Sequence, residues 1–156
     1  MYVTAFSDYL TEVDFDAFFR CFEKMELYLT ESSNSLSLSR SEVYSADPGV
    51  YCIYEGDALI YVGETGSLKA RMQDLFKTVN HSFRRSFGKA KFSHLEGVSR
   101  VSAKDKFPED VEVLVTKYME ENLRVVILPI LIGRKEVEES IVRGFAPIFN
   151  SRGRRV

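Results

Sequence analysis

Apolar residues recur at three- and four-residue spacing early in the chain. Over residues 12–30, Phe15, Phe18, Phe19, Phe22, Met25 and Leu29 would share one helix face, with Asp16, Arg20, Glu23 and Lys24 opposite. Thr11 followed by Asp14 supplies a capping start for that helix. Its apolar face is expected to pack on the rest of the chain; a dimer or partner surface is the alternative. The periodicity then stops. Residues 31–41 are serine-rich and predict a flexible connector rather than a strand.

Asp47-Pro48-Gly49 opens the next unit. The β-rich runs Val50–Tyr54 and Leu59–Val62 flank Glu55-Gly56-Asp57-Ala58, which predicts a hairpin. Alternation puts Tyr51 on one face with Ile53, and Tyr61 with Leu59. Positions 51 and 61 are expected to lie nearly opposite, so the two phenols converge. Helical spacing returns over Ser67–Thr78, with Leu68, Met72, Leu75 and Phe76 on one face and Arg71 turned toward the sheet. Shorter helices are predicted over Ser82–Gly88 and Glu109–Asn122, with residues 89–107 irregular. Arg124–Ile132 is β-branched and apolar, a third strand buried on both faces. Glu136–Gly144 predicts a helix ended by glycine, Ala146–Asn150 an extended run, and Ser151–Val156 a loose basic tail.

These elements predict an α/β (α+β) chain: a small three-stranded antiparallel sheet flanked by helices, with an extra N-terminal helix. Residues 1–40 would form the helical extension and connector, and residues 41–156 the main domain. A length of 156 residues suits that plan, and 45% apolar residues suffice for a core. Net charge is −2, but unevenly spread: residues 1–40 carry seven acids and three bases, leaving the remainder mildly basic. That balance permits nucleic-acid binding without announcing it. Cys21 and Cys52 cannot build a disulfide framework and read as buried thiols. No apolar run approaches membrane-spanning length and no secretory signal is evident, so the expected location is cytoplasmic.

The candidate chemistry lies in and around the hairpin. Hydrolysis of a phosphodiester needs a nucleophilic water, charge stabilisation on the phosphate, and help for the leaving oxygen. A carboxylate-bound hard cation, an arginine and a tyrosine of adjusted acidity can supply these. Gly49-Val50-Tyr51 and Tyr61-Val62-Gly63 form a matched pair of tripeptides. The run Glu64-Thr65-Gly66-Ser67-Leu68-Lys69-Ala70-Arg71 follows, and Glu138 lies twelve positions before Asn150 in a segment ending Ala-Pro-Ile-Phe-Asn. In this order and spacing the set resembles the GIY-YIG nuclease superfamily, over residues 48–150.

The resemblance implies that Glu138 holds a metal, Mg²⁺ or Mn²⁺, and that Arg71 contacts the phosphate. Tyr51 or Tyr61 would activate or position water, Asn150 would brace the site, and Gly49 and Gly63 would be structural members of the motif. Glu139 competes with Glu138 for the metal, but adjacent helix residues diverge and the spacing to Asn150 favours Glu138. The chain departs from the pattern at Glu64, where many relatives carry a lysine or arginine. It departs again at Leu75, where some carry a histidine that His81 or His94 would have to replace.

Lys69, His81, Arg84 and Arg85 are candidate nucleic-acid contacts, with Lys89, Lys91, Arg100, Lys104, Lys106 and the tail arginines as further positive charge. The implied function is a metal-dependent endonuclease acting on DNA. The alternative is a catalytically weak or inactive module of the same fold that binds DNA or a protein. A homodimer is a further expectation, because one site per chain must pair to cut both strands.

Overall fold

Four strands, β1 (Leu36–Ser37), β2 (Gly49–Glu55), β3 (Ala58–Thr65) and β4 (Leu123–Pro129), form one antiparallel sheet in the computed structural model, which describes residues 12–150. Their order is β1-β4-β2-β3. The sheet is central, and β2 and β4 divide their side chains between its two faces. Tyr51, Ile53 and Val125 enter one core cluster with Leu68, Met72, Phe83, Phe87, Val115 and Met119. These come from α2 (Leu68–Asp74), α3 (Ser82–Lys91) and α4 (Glu109–Asn122). Val50, Cys52 and Val126 enter the other cluster with Leu29, Val137 and Ile141. Those belong to α1 (Glu12–Thr30) and α5 (Arg134–Phe145).

The sheet has four strands rather than the expected three. The serine-rich stretch contributes β1, where Leu36 and Ser37 pair with Val125 and Arg124. Leu38 follows with no exposed surface, and Arg124 bonds the Ser35 hydroxyl and carbonyl, both at 2.7 Å. One buried leucine and an open β4 edge therefore outweigh the composition.

The hairpin also differs in register. Tyr51 stands opposite Gly63 and Ile53 opposite Tyr61, with a shift between Ile53 and Tyr54. Tyr54 pairs with Leu59, so Ile60 is the extra residue of a β-bulge. Without that bulge Tyr61 would point to the α5 face, away from Tyr51, because a one-residue slip exchanges the faces of a strand. The phenols converge diagonally, with ring centroids 6.1 Å apart.

Several helix ends move. α2 is capped by Ser67 and stops at Asp74, while α3 is capped by His81 and runs on to Lys91. α5 passes through Gly144 and ends at Ala146, held left-handed at φ 45°. Pro147 denies Ala146 the right-handed helical region. Residues 147–150 then form a turn, closed by the Asn150 N–H donating to the Pro147 carbonyl at 3.0 Å, where an extended run was expected.

The apolar face of α1 is split. Leu29 is fully buried, and its carbonyl accepts from the buried Tyr54 hydroxyl at 2.9 Å. Phe22 and Met25 pack against the same cluster. Phe18 and Phe19 remain exposed, as does Cys21, which was expected to be buried. Thr11, the side chains of Asp14 and Phe15, and the basic tail lie outside the described residues. Among the described residues no helix is long and apolar enough to cross a membrane.

Candidate active site

Gly63 is where the two halves of the motif meet. A side chain there would run into the Tyr51 ring, which lies across the β3 backbone. Glycine is therefore required there for close approach of an aromatic. Gly49 has a similar role at the other end of β2. A Cβ there would lie 2.7 Å from Leu68 Cδ1 and would also strike the Leu128 carbonyl, so glycine lets α2 and β4 close on the strand.

Beside Gly63 is a polar cleft of about 400 Å³. Tyr51, Tyr61, Arg71 and Glu138 line it together, although Glu138 is 67 positions beyond Arg71 in the sequence. His81, Ser82 and Arg85 complete one wall, and Glu64 and Lys135 the other. Arg71 is delivered by α2, whose start is fixed by the Ser67 side chain accepting from the Ala70 N–H. Glu138 is delivered by α5, buried at Val137 and Ile141 on either side. Glu139 points elsewhere and pairs with Lys135 at 3.9 Å.

Asn150 does not line the cleft. Its amide pairs with the open edge of β3: the Val62 N–H donates to Oδ1 at 2.8 Å and Nδ2 donates to the Val62 carbonyl at 2.7 Å. The Phe149 N–H donates to the Ile60 carbonyl at 3.1 Å. The chain after α5 is thus clasped to the bulged strand, and this holds α5 in position.

Burial governs the electrostatics. The Tyr51 phenol, 1% exposed, is pushed well above its ordinary value by desolvation and by Tyr61, with Arg71 pulling the other way. Tyr61 is also raised by burial, but the Tyr51 and Ser82 hydroxyls and the Arg71 charge draw it back. The Glu138 carboxyl is raised by burial and by Glu139 and Glu64, against Lys135. Among the described residues no hydrogen bond or ion pair engages the Glu138 carboxylate. Glu64 is paired rather than free: Arg134 Nε donates to its Oε2 at 2.7 Å.

The predicted nucleic-acid contacts divide. Arg85 lines the cleft, with Nη1 donating to the Thr78 and Val79 carbonyls at 2.8 and 3.1 Å. Lys69 is exposed in a separate groove beside Tyr44 and Lys77. Arg84 must be corrected, because it has no exposed surface. Its guanidinium donates to Thr78 at 3.0 Å, Glu112 at 2.7 Å and Thr116 at 2.9 Å. It is a buried tie between α3 and α4, out of reach of a phosphate. His81 is likewise 2% exposed, and its Nε2 lies 3.0 Å from Tyr51 Oη. His94 is exposed and outside the cleft.

Lys135 and the Glu64–Arg134 pair escaped the sequence reading. The spacing of Lys135 one helical turn before Glu138 could have found the first. Nothing in sequence could have found the second, since it joins β3 to α5 across 70 positions.

An α/β domain whose antiparallel hairpin sets two tyrosines beside an arginine and a half-buried glutamate is the class of protein that this fold and site define. The GIY-YIG catalytic-domain model matches residues 28–155, and the chain belongs to that family of nuclease-type domains. No curated protein and no solved structure gives a significant match.

Proposed function

We propose that this chain is a metal-dependent endonuclease that hydrolyses DNA phosphodiester bonds in the cleft between the hairpin and α5. The observation that carries the reading is the gathering of Tyr51, Tyr61, Arg71 and Glu138 around one cleft. Glu138 suits a hard divalent cation. It is half-buried, uncommitted to any donor among the described residues, and flanked by further negative charge. Among the described residues no cluster of three or more potential ligands exists. A single carboxylate fits Mg²⁺, which keeps several waters and takes its remaining ligands from substrate phosphate.

Mg²⁺ or Mn²⁺ on Glu138 would supply neutralisation of charge at the phosphate. Arg71 would hold phosphoryl oxygens through its planar donors. Tyr61, drawn back toward its ordinary acidity by three neighbours, is the better base. In its phenolate form it takes a proton from water as the water oxygen bonds to phosphorus. The phosphorus bond to the sugar oxygen breaks, and that oxygen takes its proton from solvent. Asn150 braces the site through β3. The Arg134 contact speaks against an inactive module, because it offsets the repulsion that Glu64 would otherwise present to a phosphate.

The test is cleavage of supercoiled plasmid and branched DNA with Mg²⁺ or Mn²⁺. Glu138→Ala is expected to abolish cleavage with an unchanged melting curve, since its carboxylate makes no hydrogen bond or ion pair among the described residues. Cleavage persisting in the variant would remove Glu138 from the role of metal ligand. Tight DNA binding without cutting by the wild type would favour the binding-module reading.

A further inference from the structure

The N-cap of α3 fixes more than the start of a helix. His81 Nδ1 accepts from the Phe83 backbone N–H at 3.2 Å. A backbone amide can only donate, so Nδ1 carries no proton, and the proton of the neutral ring is on Nε2. Nε2 faces Tyr51 Oη at 3.0 Å. The imidazole therefore donates and the phenol oxygen accepts.

An imidazolium would set a second N–H against that of Phe83. Burial, Arg71 on α2 and Arg85 on α3 also oppose it, with only Asp74 on α2 favouring it, and the pKa is pushed down to about 4. The phenols of Tyr51 on β2 and Tyr61 on β3 also face the ring, neutral in the resting protein because burial raises the pKa of both. The orientation of this ring is thus settled over the whole neutral range.

The geometry points to His81 as a positioning residue: its capped tautomer turns the Tyr51 proton away from itself and into the cleft, making Tyr51 a hydrogen-bond donor toward a phosphoryl oxygen or the Tyr61 oxygen. Neither His81 nor Tyr51 is then an acceptor for the proton of the attacking water. Tyr61 is the phenol left for that step. This rests on the cleavage reading above. It moves His81 from the nucleic-acid contacts to the support of a tyrosine, and it makes the two tyrosines unequal.

The experiment pairs spectroscopy with kinetics on the full chain. Nitrogen NMR of His81 between pH 8 and pH 5.5 is expected to show an unprotonated Nδ1 and a protonated Nε2. The Nε2 proton should move upfield in Tyr51→Phe, which keeps the ring and removes the acceptor. His81→Asn retains a side-chain cap for α3 but cannot reach Tyr51. It is expected to lower kcat about tenfold, the worth of one hydrogen bond, with KM unchanged. It should cause no further loss in the Tyr51→Phe background.

A proton on Nδ1 overturns the proposal, and so does an equal loss from His81→Asn in both backgrounds. The spectra require no DNA. Absence of cleavage from every protein would therefore sink the nuclease reading, while the hydrogen-bond direction is decided by the spectra alone.

Discussion

His81 has a consequence for stability at the scale of a single residue. Its pKa is held at about 4 in the fold against an ordinary 6.5, chiefly by burial and by Arg71. The unfolded chain takes up the proton as pH falls through 6.5, while the folded chain resists until about 4. Stability is therefore unaffected above that window and lost within it as pH falls. The full loss is about 3 kcal/mol, since each tenfold difference in proton affinity between the folded and unfolded chain is worth about 1.4 kcal/mol. Urea unfolding of wild type and His81→Asn between pH 7 and pH 4 isolates this share, since the carboxylates titrate in both. The wild type is expected to fall more steeply. Parallel curves would mean that His81 is free to protonate in the fold.

Among the elements, α3 and α4 are joined by one buried charge in addition to the apolar packing of Phe83 and Phe87 on Val115 and Met119. Arg84 is enclosed by Thr78, Glu112, Thr116 and the Met119 sulfur, and its Glu112 bridge measures 2.7 Å. Burial lowers its pKa and Glu112 opposes that. Removing one partner of such a pair leaves the other uncompensated, so Arg84→Ala is expected to cost about 3–5 kcal/mol. A loss below about 1 kcal/mol in thermal or urea unfolding would show that the guanidinium is not needed to join the helices. Arg85→Ala, whose residue lines the cleft, should instead weaken DNA binding with a smaller effect on folding.

These neighbours also mark how far sequence could see. Helical periodicity located α1 and α4 to the residue and located α2, α3 and α5 with shifted ends. It missed the β3 bulge because the extra residue, Ile60, is as apolar as its neighbours and joins the same cluster as Tyr51. It missed β1 because two paired residues leave almost no pattern. The site was readable as a set of residue types at known spacing. Which cations reach it was not: Arg84 and Arg85 are identical in sequence terms, yet one helix step turns the first into the core and the second to the cleft.

Over the whole molecule, net charge is −2, so a DNA-binding role cannot come from a general field. Positive charge must be local. At the cleft it comes from Arg71, Arg85 and Lys135, whose exposed 3.9 Å pairing with Glu139 is weak, whereas Arg134 is committed to Glu64 and Arg84 to Glu112 at 2.7 Å. Each phosphate neutralised releases condensed counterions, which fixes how affinity responds to salt. Three contacts correspond to a slope of about −3 in log affinity against log salt for duplex DNA. Titrations of the wild type in chelator, from about 50 to 200 mM salt, measure this without cleavage, and the slope should become shallower by about one in Lys135→Ala. A slope twice as steep would place further phosphate contacts outside the cleft and extend the DNA path over the exposed lysines of the α2 and α4 sides. A slope near zero, from protein that still folds and retains Arg71, would mean that the cleft does not hold a polyanion, and the nuclease reading would lose its substrate.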